Sequence, residues 1–314
     1  MMRFNLMKFI RQILATLWLI VWSSSPQADV VTQNDCRPLK PASKQFDVSL
    51  DYANAVLWEV SSDGREPSYI FGTMHVSDPN VTNLPEPVNA KLADADVFVM
   101  EALPEPEEAM KFSQMMFFND GTTLKEYLDD ELFNQMVGIL AQYQLPEEAV
   151  PYIKPWAAFL IMNYPAEQGI PLDLQLLNTA QQNGSELKGL ETLTEQGIIF
   201  SSLEFDTQIQ LMLDTICNYN AMNKDFEEMK AYYLKRDLQG LVAYSNKYSL
   251  SEEKIYKDLM KKLLQDRNTI MADRMQSILE KGDAFIAIGA MHLPGEDGVL
   301  ALLANKGYKI TSVY

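Results

Sequence analysis

Apolar runs mark both ends of the chain, and its middle is mostly helical in pattern. Short apolar stretches bounded by turn residues predict strands at 56–60, 68–71, 96–101, 186–190, 284–289 and 308–314. Helices are predicted at 105–118, 123–144, 155–163, 173–183, 202–220, 222–247 and 251–281. Ser249 and Glu252 fit a capping box at the start of the last helix, and Gly282 fits its end.

The two ends of this layout repeat one another. The first copy consists of a strand, the motif GTMH at 72–75, a short helix and a second strand near residue 97. The second copy consists of a strand, the motif GAMH at 289–292, a helix and the final strand. Each copy is a strand–helix–strand unit, and two such units can join their edges in one sheet. We therefore predict a mixed α/β fold with a central sheet built from two Gly-x-x-His halves. The large helical insertion is expected at about 105–282.

The N-terminal segment resembles an export signal. Residues 1–28 carry a basic start, an apolar run at 13–22 and small residues at 23–28. We predict a signal peptide at 1–28, an arm at 29–50 and the folded domain at 51–314, in a periplasmic or secreted protein. An uncleaved N-terminal membrane anchor is the alternative. Cys36 and Cys217 could form one disulfide in an oxidising compartment or remain two free thiols.

The charge balance narrows the choice of partners. The chain holds 26 lysine and arginine residues against 43 aspartate and glutamate residues, so nucleic acid, which requires a basic surface, is not an expected partner. No stretch outside the N-terminal segment could cross a bilayer, so no membrane contact is expected unless that segment is retained. A peptide or a small-molecule substrate, and any oligomeric state, stay open.

Only two histidines occur in the sequence, and both end a Gly-x-x-His motif at the end of a predicted strand. Imidazole ligates transition metals and exchanges protons near neutral pH. Gly72 and Gly289 would allow a close backbone approach at these positions. We predict that His75 and His292 hold one divalent ion, with Glu101 as the third ligand. Two imidazoles and a carboxylate suit zinc, manganese or cobalt.

Further polar residues offer more than one role. Glu191 ends a strand and could be a general base, another ligand or a structural carboxylate. Asp173 is best explained as a helix N-cap, and Thr192 with Glu195 as a capping box. Arg274 could stabilise an oxyanion or pair with a surface acid. The sequence has no Gly-x-Ser-x-Gly elbow, phosphate loop or dinucleotide motif.

Three phrases together resemble the TraB/GumN family. They are YIFGTMHV at 69–76, GLET at 189–192 and GAMHLPGEDG at 289–298, and the likeness runs from about residue 56 to the end of the chain. The family is similar to the Tiki proteins, membrane-tethered metalloproteases that cut the N-terminal end of Wnt proteins. The wider superfamily includes erythromycin esterase-like and haem-binding ChaN-like proteins.

The resemblance implies a divalent-metal hydrolase of peptidase type, commonly with manganese or cobalt. The family motifs map onto His75, His292, Glu101, Glu191, Arg267, Asn268 and Arg274. Our hypothesis gives the ion to the two histidines and Glu101, proton transfer to Glu191 and the oxyanion to Arg274. The alternatives are a non-catalytic protein that sequesters a peptide, a metal or haem, and an interaction protein whose helical insertion is the working surface.

Overall fold

The computed structural model describes residues 30–43, 49–166 and 169–314. The predicted signal peptide at 1–28 lies outside the described residues, as does part of the predicted arm. Among the residues described, no helix combines the length and apolarity needed to cross a membrane.

Six strands form one mixed sheet in the order β4-β3-β5-β2-β1-β6. The strands are β1 Leu57–Ser61, β2 Ser68–Thr73, β3 Val97–Ala102, β4 Glu186–Glu191, β5 Ala284–Gly289 and β6 Lys309–Ser312. The first four in the spatial order, β4, β3, β5 and β2, run parallel, whereas β1 is antiparallel to both of its neighbours. The predicted mixed α/β class is therefore confirmed.

The two strand–helix–strand units interleave instead of meeting at their edges. β5 from the second unit pairs with β2 on one side and β3 on the other, so it separates the two strands of the first unit. The burial of β5 explains its central position, because residues 284–288 are all buried. A continuous apolar run is typical of a parallel strand covered on both faces.

Twelve α-helices surround this sheet in the described ranges. They are α1 Pro79–Thr82, α2 Glu86–Asp94, α3 Pro106–Met115, α4 Asp130–Leu140, α5 Pro155–Met162, α6 Leu172–Asn183, α7 Leu193–Ser201, α8 Phe205–Leu234, α9 Leu238–Ser245, α10 Lys254–Met260, α11 Arg267–Leu279 and α12 Val299–Asn305. Residues 261–266 form a π-helical turn that joins α10 to α11.

Four helix predictions were wrong in their bounds. The predicted helices at 202–220 and 222–247 are replaced by the 30-residue α8 and the short α9, because no proline or glycine interrupts the chain near residue 221. The predicted helix at 123–144 begins instead at Asp130, since the Asp129 side chain accepts a hydrogen bond from the Leu132 amide as an N-cap. The last long helix begins at Lys254, beyond the expected Ser249–Glu252 cap.

Two clusters of buried apolar side chains hold the chain together. One covers both faces of the sheet and includes Phe98, Ile286 and Leu300. The other lies among α4, α5, α7 and α8 and includes Trp156 and Met212. Helices α4, α5 and α7 and the first half of α8 thus have a core of their own, which stabilises them as a second, helical layer beside the sheet.

A disulfide attaches the N-terminal arm to this helical layer. Cys36 and Cys217 are bonded, with their Cα atoms 5.8 Å apart, so the first of the two sequence-based alternatives holds. Arg37 adds an ion pair with the buried Asp214 of α8, and the Asn218 amide donates to the Arg37 carbonyl at 2.9 Å. Disulfides of this kind are typical of oxidising compartments.

Removal of the disulfide is expected to lower the free energy of unfolding by about 2–4 kcal/mol, because the bond closes a long loop in the unfolded chain. The two cysteines are 181 residues apart in sequence. Urea unfolding of a Cys36→Ser, Cys217→Ser variant would measure the change. Reductant should lower the midpoint of the wild-type protein and leave that of the variant unmoved; equal midpoints for both proteins would contradict the prediction.

Candidate active site at the carboxyl ends of the parallel strands

Four adjacent parallel strands end at the same edge of the sheet and bring four polar segments together. Thr73 at the end of β2 is in register with Gly289 of β5, and Ala102 of β3 is in register with Glu191 of β4. Ligands of open α/β sheets bind beyond this edge. A cavity of about 730 Å³ lies there, and both Gly-x-x-His segments line it.

His75 is held by a carboxylate from the first turn of α6. Its Nδ1–H donates to Oδ2 of Asp173 at 2.6 Å, and the Thr73 hydroxyl donates to Oδ1 of the same carboxylate at 2.6 Å. Burial by itself would lower the pKa of His75, but the Asp173 charge outweighs it and raises the pKa to about 9. Since Asp173 occupies Nδ1, a metal ion could bind His75 only through Nε2, where it would replace the proton that the raised pKa keeps on the ring near pH 7.

His292 is held in a similar way but in a different electrostatic setting. Its Nδ1–H donates to Oδ1 of Asn268 at 2.6 Å, and its side chain is almost completely buried. Burial lowers the pKa of His292 to about 4, and the nearby Arg267 acts in the same direction. The ring is therefore neutral near pH 7, with its Nε2 lone pair accepting from Nη1 of Arg267 at 3.3 Å.

Glu101 and the two histidines converge on the space above Gly289. A Cβ atom on Gly289 would lie 3.2 Å from Oε1 of Glu101, 3.5 Å from Cδ2 of His292 and 3.9 Å from Nε2 of His75. The Gly289 amide donates to Oε1 of Glu101 at 2.7 Å. Burial by itself would raise the pKa of Glu101, but the imidazoles and Arg267 lower it to about 2. A glycine is needed here because a side chain would fill the point where these groups meet.

Arg267 connects the two strand-end glutamates. Its Nη2 donates to Oε2 of Glu101 at 2.6 Å and to Oε2 of Glu191 at 2.7 Å, while its Nε donates to Oε2 of Glu191 at 3.0 Å. The π-helical turn at 261–266 immediately precedes it, and π-helical turns occur frequently at functional sites. These carboxylates raise the pKa of Arg267 further, so it stays charged throughout.

The structure does not bring every predicted site residue into the cavity. Arg274 donates to Glu195 and to the Leu190 carbonyl, its side chain is 42% exposed, and it does not line the cavity. Glu191 is buried behind Arg267 and also lies outside the cavity lining. The predicted capping box of Thr192 and Glu195 is confirmed.

Sequence reasoning missed the residues that orient the histidines. The predicted N-cap role of Asp173 is wrong, because Pro171 occupies that position and the Asp173 carboxylate accepts hydrogen bonds from His75 and Thr73 within the first turn of α6. The available signal was a lone carboxylate within the apolar stretch IPLDLQLL at 170–177, which demanded a buried partner. Asn268 was indicated as a site residue only by the family resemblance.

The donor set suits a divalent metal in its chemistry. Among the described residues, no three His, Cys, Asp or Glu side chains already form a group arranged to hold an ion. Each histidine nevertheless has its Nδ1 occupied by an oxygen, which is how metal-binding imidazoles are usually oriented. Glu101 supplies a third donor with Oε1 3.7 Å from Nε2 of His292. Metal binding by His75, His292 and Glu101 stays a prediction.

Comparison with known proteins identifies the family of the chain. The family model described as TraB/PrgY/gumN matches residues 56–312, most of the chain. The chain belongs to the TraB/PrgY/gumN family. The family expected from the sequence phrases is thereby confirmed, and its model spans the sheet, the helical layer and both Gly-x-x-His segments.

Curated relatives of this TraB/PrgY/gumN chain share low sequence identity with it. A Danio rerio protein named Metalloprotease TIKI1 is 23% identical, over 94% of this chain and 71% of its own length. Danio rerio Metalloprotease TIKI2 is also 23% identical, but only 62% of its length is covered. Escherichia coli (strain K12) YbaP, described as an uncharacterized protein, is 22% identical over 78% of this chain and 90% of its own. No solved structure matches.

The Asp173 contact can be tested in this family member by proton titration. Because the chain has only two histidines, NMR of the metal-free protein should give one imidazole with a pKa of about 9 and one of about 4. Asp173→Asn removes the charge that holds the proton on His75, so the pKa of His75 should fall from about 9 to its ordinary value or below it, because burial then acts without that charge. His292 serves as the internal control; an unchanged His75 titration would contradict the assignment.

Proposed function

We propose that the protein is an exported, metal-dependent hydrolase that cleaves peptide bonds at the strand-end site. The observation that carries the proposal is the convergence of His75, His292 and Glu101 above Gly289, with both Nδ1 atoms held by oxygens. Relatives named metalloprotease add support. Export is favoured by the predicted signal peptide together with the Cys36–Cys217 disulfide.

Three residues would hold the ion: His75, His292 and Glu101. A divalent ion bound there, manganese, cobalt or zinc, would lower the pKa of water and polarise the scissile carbonyl. Asp173 and Asn268 keep the two imidazoles in the orientation that offers Nε2 to the cavity. The Gly289 amide fixes Glu101 by donating to Oε1 at 2.7 Å.

The roles that the sequence assigned to Arg274 and Glu191 are redistributed in this proposal. Arg267 lines the cavity and is the cation that would face a developing oxyanion. Glu191 accepts three hydrogen bonds from Arg267, so we assign it the role of positioning Arg267. Glu191→Gln should lower kcat without shifting the pH profile of kcat/KM. If the acidic limb of that profile is lost in the variant, Glu191 acts as a general base instead.

The decisive experiment measures peptide hydrolysis before and after metal removal. The full chain is purified, stripped with a chelator and reloaded separately with manganese, cobalt or zinc, and each form is assayed with a mixed peptide library. Hydrolysis should disappear on stripping and return with at least one ion. Cleavage that is indifferent to chelation in both the wild-type protein and the His75→Ala, His292→Ala variant would refute the proposal.

A non-catalytic binding protein is the second candidate. The observation favouring it is that Arg267 already donates to Nε2 of His292 and to Glu101, so it occupies the His292 lone pair and balances the Glu101 charge that a catalytic ion would use. Such a protein would retain peptide, metal or haem without turnover. Stoichiometric ligand binding with no cleavage by any metal-loaded form would favour this second candidate.

A further inference from the structure

The cavity has two chemically distinct surfaces. Its floor, at the strand ends, carries the polar groups of the proposed site, among them His75, Glu101, Asp173 and Arg267. The rest of the lining includes apolar side chains from helices α3, α5, α6, α7 and α8, which we call the helical wall: Phe112, Leu160, Leu174, Ile199, Phe200 and Phe226. Most of these side chains are only partly buried, so apolar surface faces the cavity.

Charge is confined to the floor of this cavity. Glu101, Asp173 and Arg267 are the only acidic or basic side chains other than histidine that line it within the described part of the chain. The protein has 69 such residues in all, from 26 basic and 43 acidic, yet the helical wall holds none of them. A charged ligand group placed against that wall would lose its hydration without gaining a partner.

The volume of the cavity fits a short piece of a substrate. About 730 Å³ is within the range of sites that enclose most of a small ligand, and such sites combine an apolar lining with a few polar groups that fix orientation. The floor would then take the polar scissile bond. The side chains next to that bond would turn toward the helical wall.

We propose that the site selects peptides with uncharged, bulky apolar side chains flanking the scissile bond, recognised by the helical wall of the cavity. This inference rests on the proposed hydrolase function and names its substrate class. Leu174 is the most useful position for testing it, because it lines the cavity and 37% of its surface is exposed. A substitution there changes the wall without disturbing a buried core.

The test uses a matched series of fluorogenic peptides that differ only beside the scissile bond, with leucine, phenylalanine, alanine, aspartate or lysine. For the metal-loaded wild-type protein, leucine and phenylalanine peptides should exceed the alanine peptide by about tenfold or more in kcat/KM, and charged peptides should fall below it. Leu174→Lys should lower the ratio of the leucine to the aspartate peptide by about tenfold. Binding of the same labelled peptides is followed in parallel by fluorescence polarisation.

Ile198→Lys is the matched control, since Ile198 is 49% exposed on α7 and lies outside the cavity lining. It should leave the preference of the wild-type protein unchanged. Hydrolysis with a flat profile, or equal ratios for both lysine variants, would overturn the inference and leave the hydrolase proposal standing. Selective binding of apolar peptides without cleavage would support the ligand class and contradict the hydrolase proposal. If the peptides are neither bound nor cleaved, both the ligand class and the hydrolase proposal are contradicted.

Discussion

Replacing His75 and His292 together with alanine is expected to abolish retention of a divalent metal and to reduce kcat/KM for peptide hydrolysis by about a thousandfold. The reason is that both Nε2 donors are lost while Glu101 alone remains, and one carboxylate does not hold an ion against water. The rate loss corresponds to about 4 kcal/mol of transition-state stabilisation, at 1.36 kcal/mol for each factor of ten. Metal content by mass spectrometry and steady-state kinetics measure the two effects.

The chain provides a close control for this experiment. Met74 and Met291 directly precede the two histidines and also line the cavity. A Met74→Leu, Met291→Leu variant conserves side-chain volume at neighbouring positions of the same segments, so it should keep both metal and activity. Stoichiometric metal in the double-alanine protein would mean that the histidines do not ligate it.

Replacing Arg267 with methionine is expected to destabilise the protein by about 3–5 kcal/mol, as is usual when one partner of a buried ion pair is removed. Arg267, Glu101 and Glu191 are all buried or nearly so, and the guanidinium donates to both carboxylates. Without it, two negative charges would remain close together in a poorly hydrated site. Urea unfolding would give the change in free energy, and kcat should fall as well because the cavity loses its cation.

Arg274→Met is the matched comparison, since Arg274 lies seven residues further along α11 and pairs with the exposed Glu195. An exposed ion pair contributes about 0–1 kcal/mol, so this variant should unfold close to the wild-type midpoint. If both methionine variants lose a similar free energy of unfolding, burial of the Arg267 ion pairs does not add to stability. A loss of unfolding free energy for the Arg274 variant alone would contradict the prediction.

Local chemistry explains why some elements were predictable. The apolar run at 284–289 became a buried strand with the predicted bounds, and the capping box of Thr192 with Glu195 begins α7 as expected. The end of α8 had no such signal. The chain leaves that helix at Arg236, which adopts a φ of 60° without being a glycine, so nothing in the sequence marks the break. Contacts made by the surrounding structure must stabilise this conformation.

The candidate site divides in the same way. The paired motifs identified His75 and His292 because imidazole is scarce in this chain and both copies stand at strand ends. The hydrogen-bond partners of these two imidazoles could not be predicted from a motif. Asp173 and Asn268 are about a hundred and about 24 residues from their histidines, and only the packing of α6 and α11 against the strand ends brings them close.

The mixed α/β class, the two Gly-x-x-His strand ends and the family could be predicted from the chain, because these depend on local apolar pattern and on motif residues. Three further features are visible only in the folded protein: β5 lies between β2 and β3, Cys36 bonds to Cys217, and Arg267 instead of Arg274 contacts Glu101. These are long-range pairings. Their free energies depend on which surfaces are buried together, and no local stretch of the chain encodes that choice.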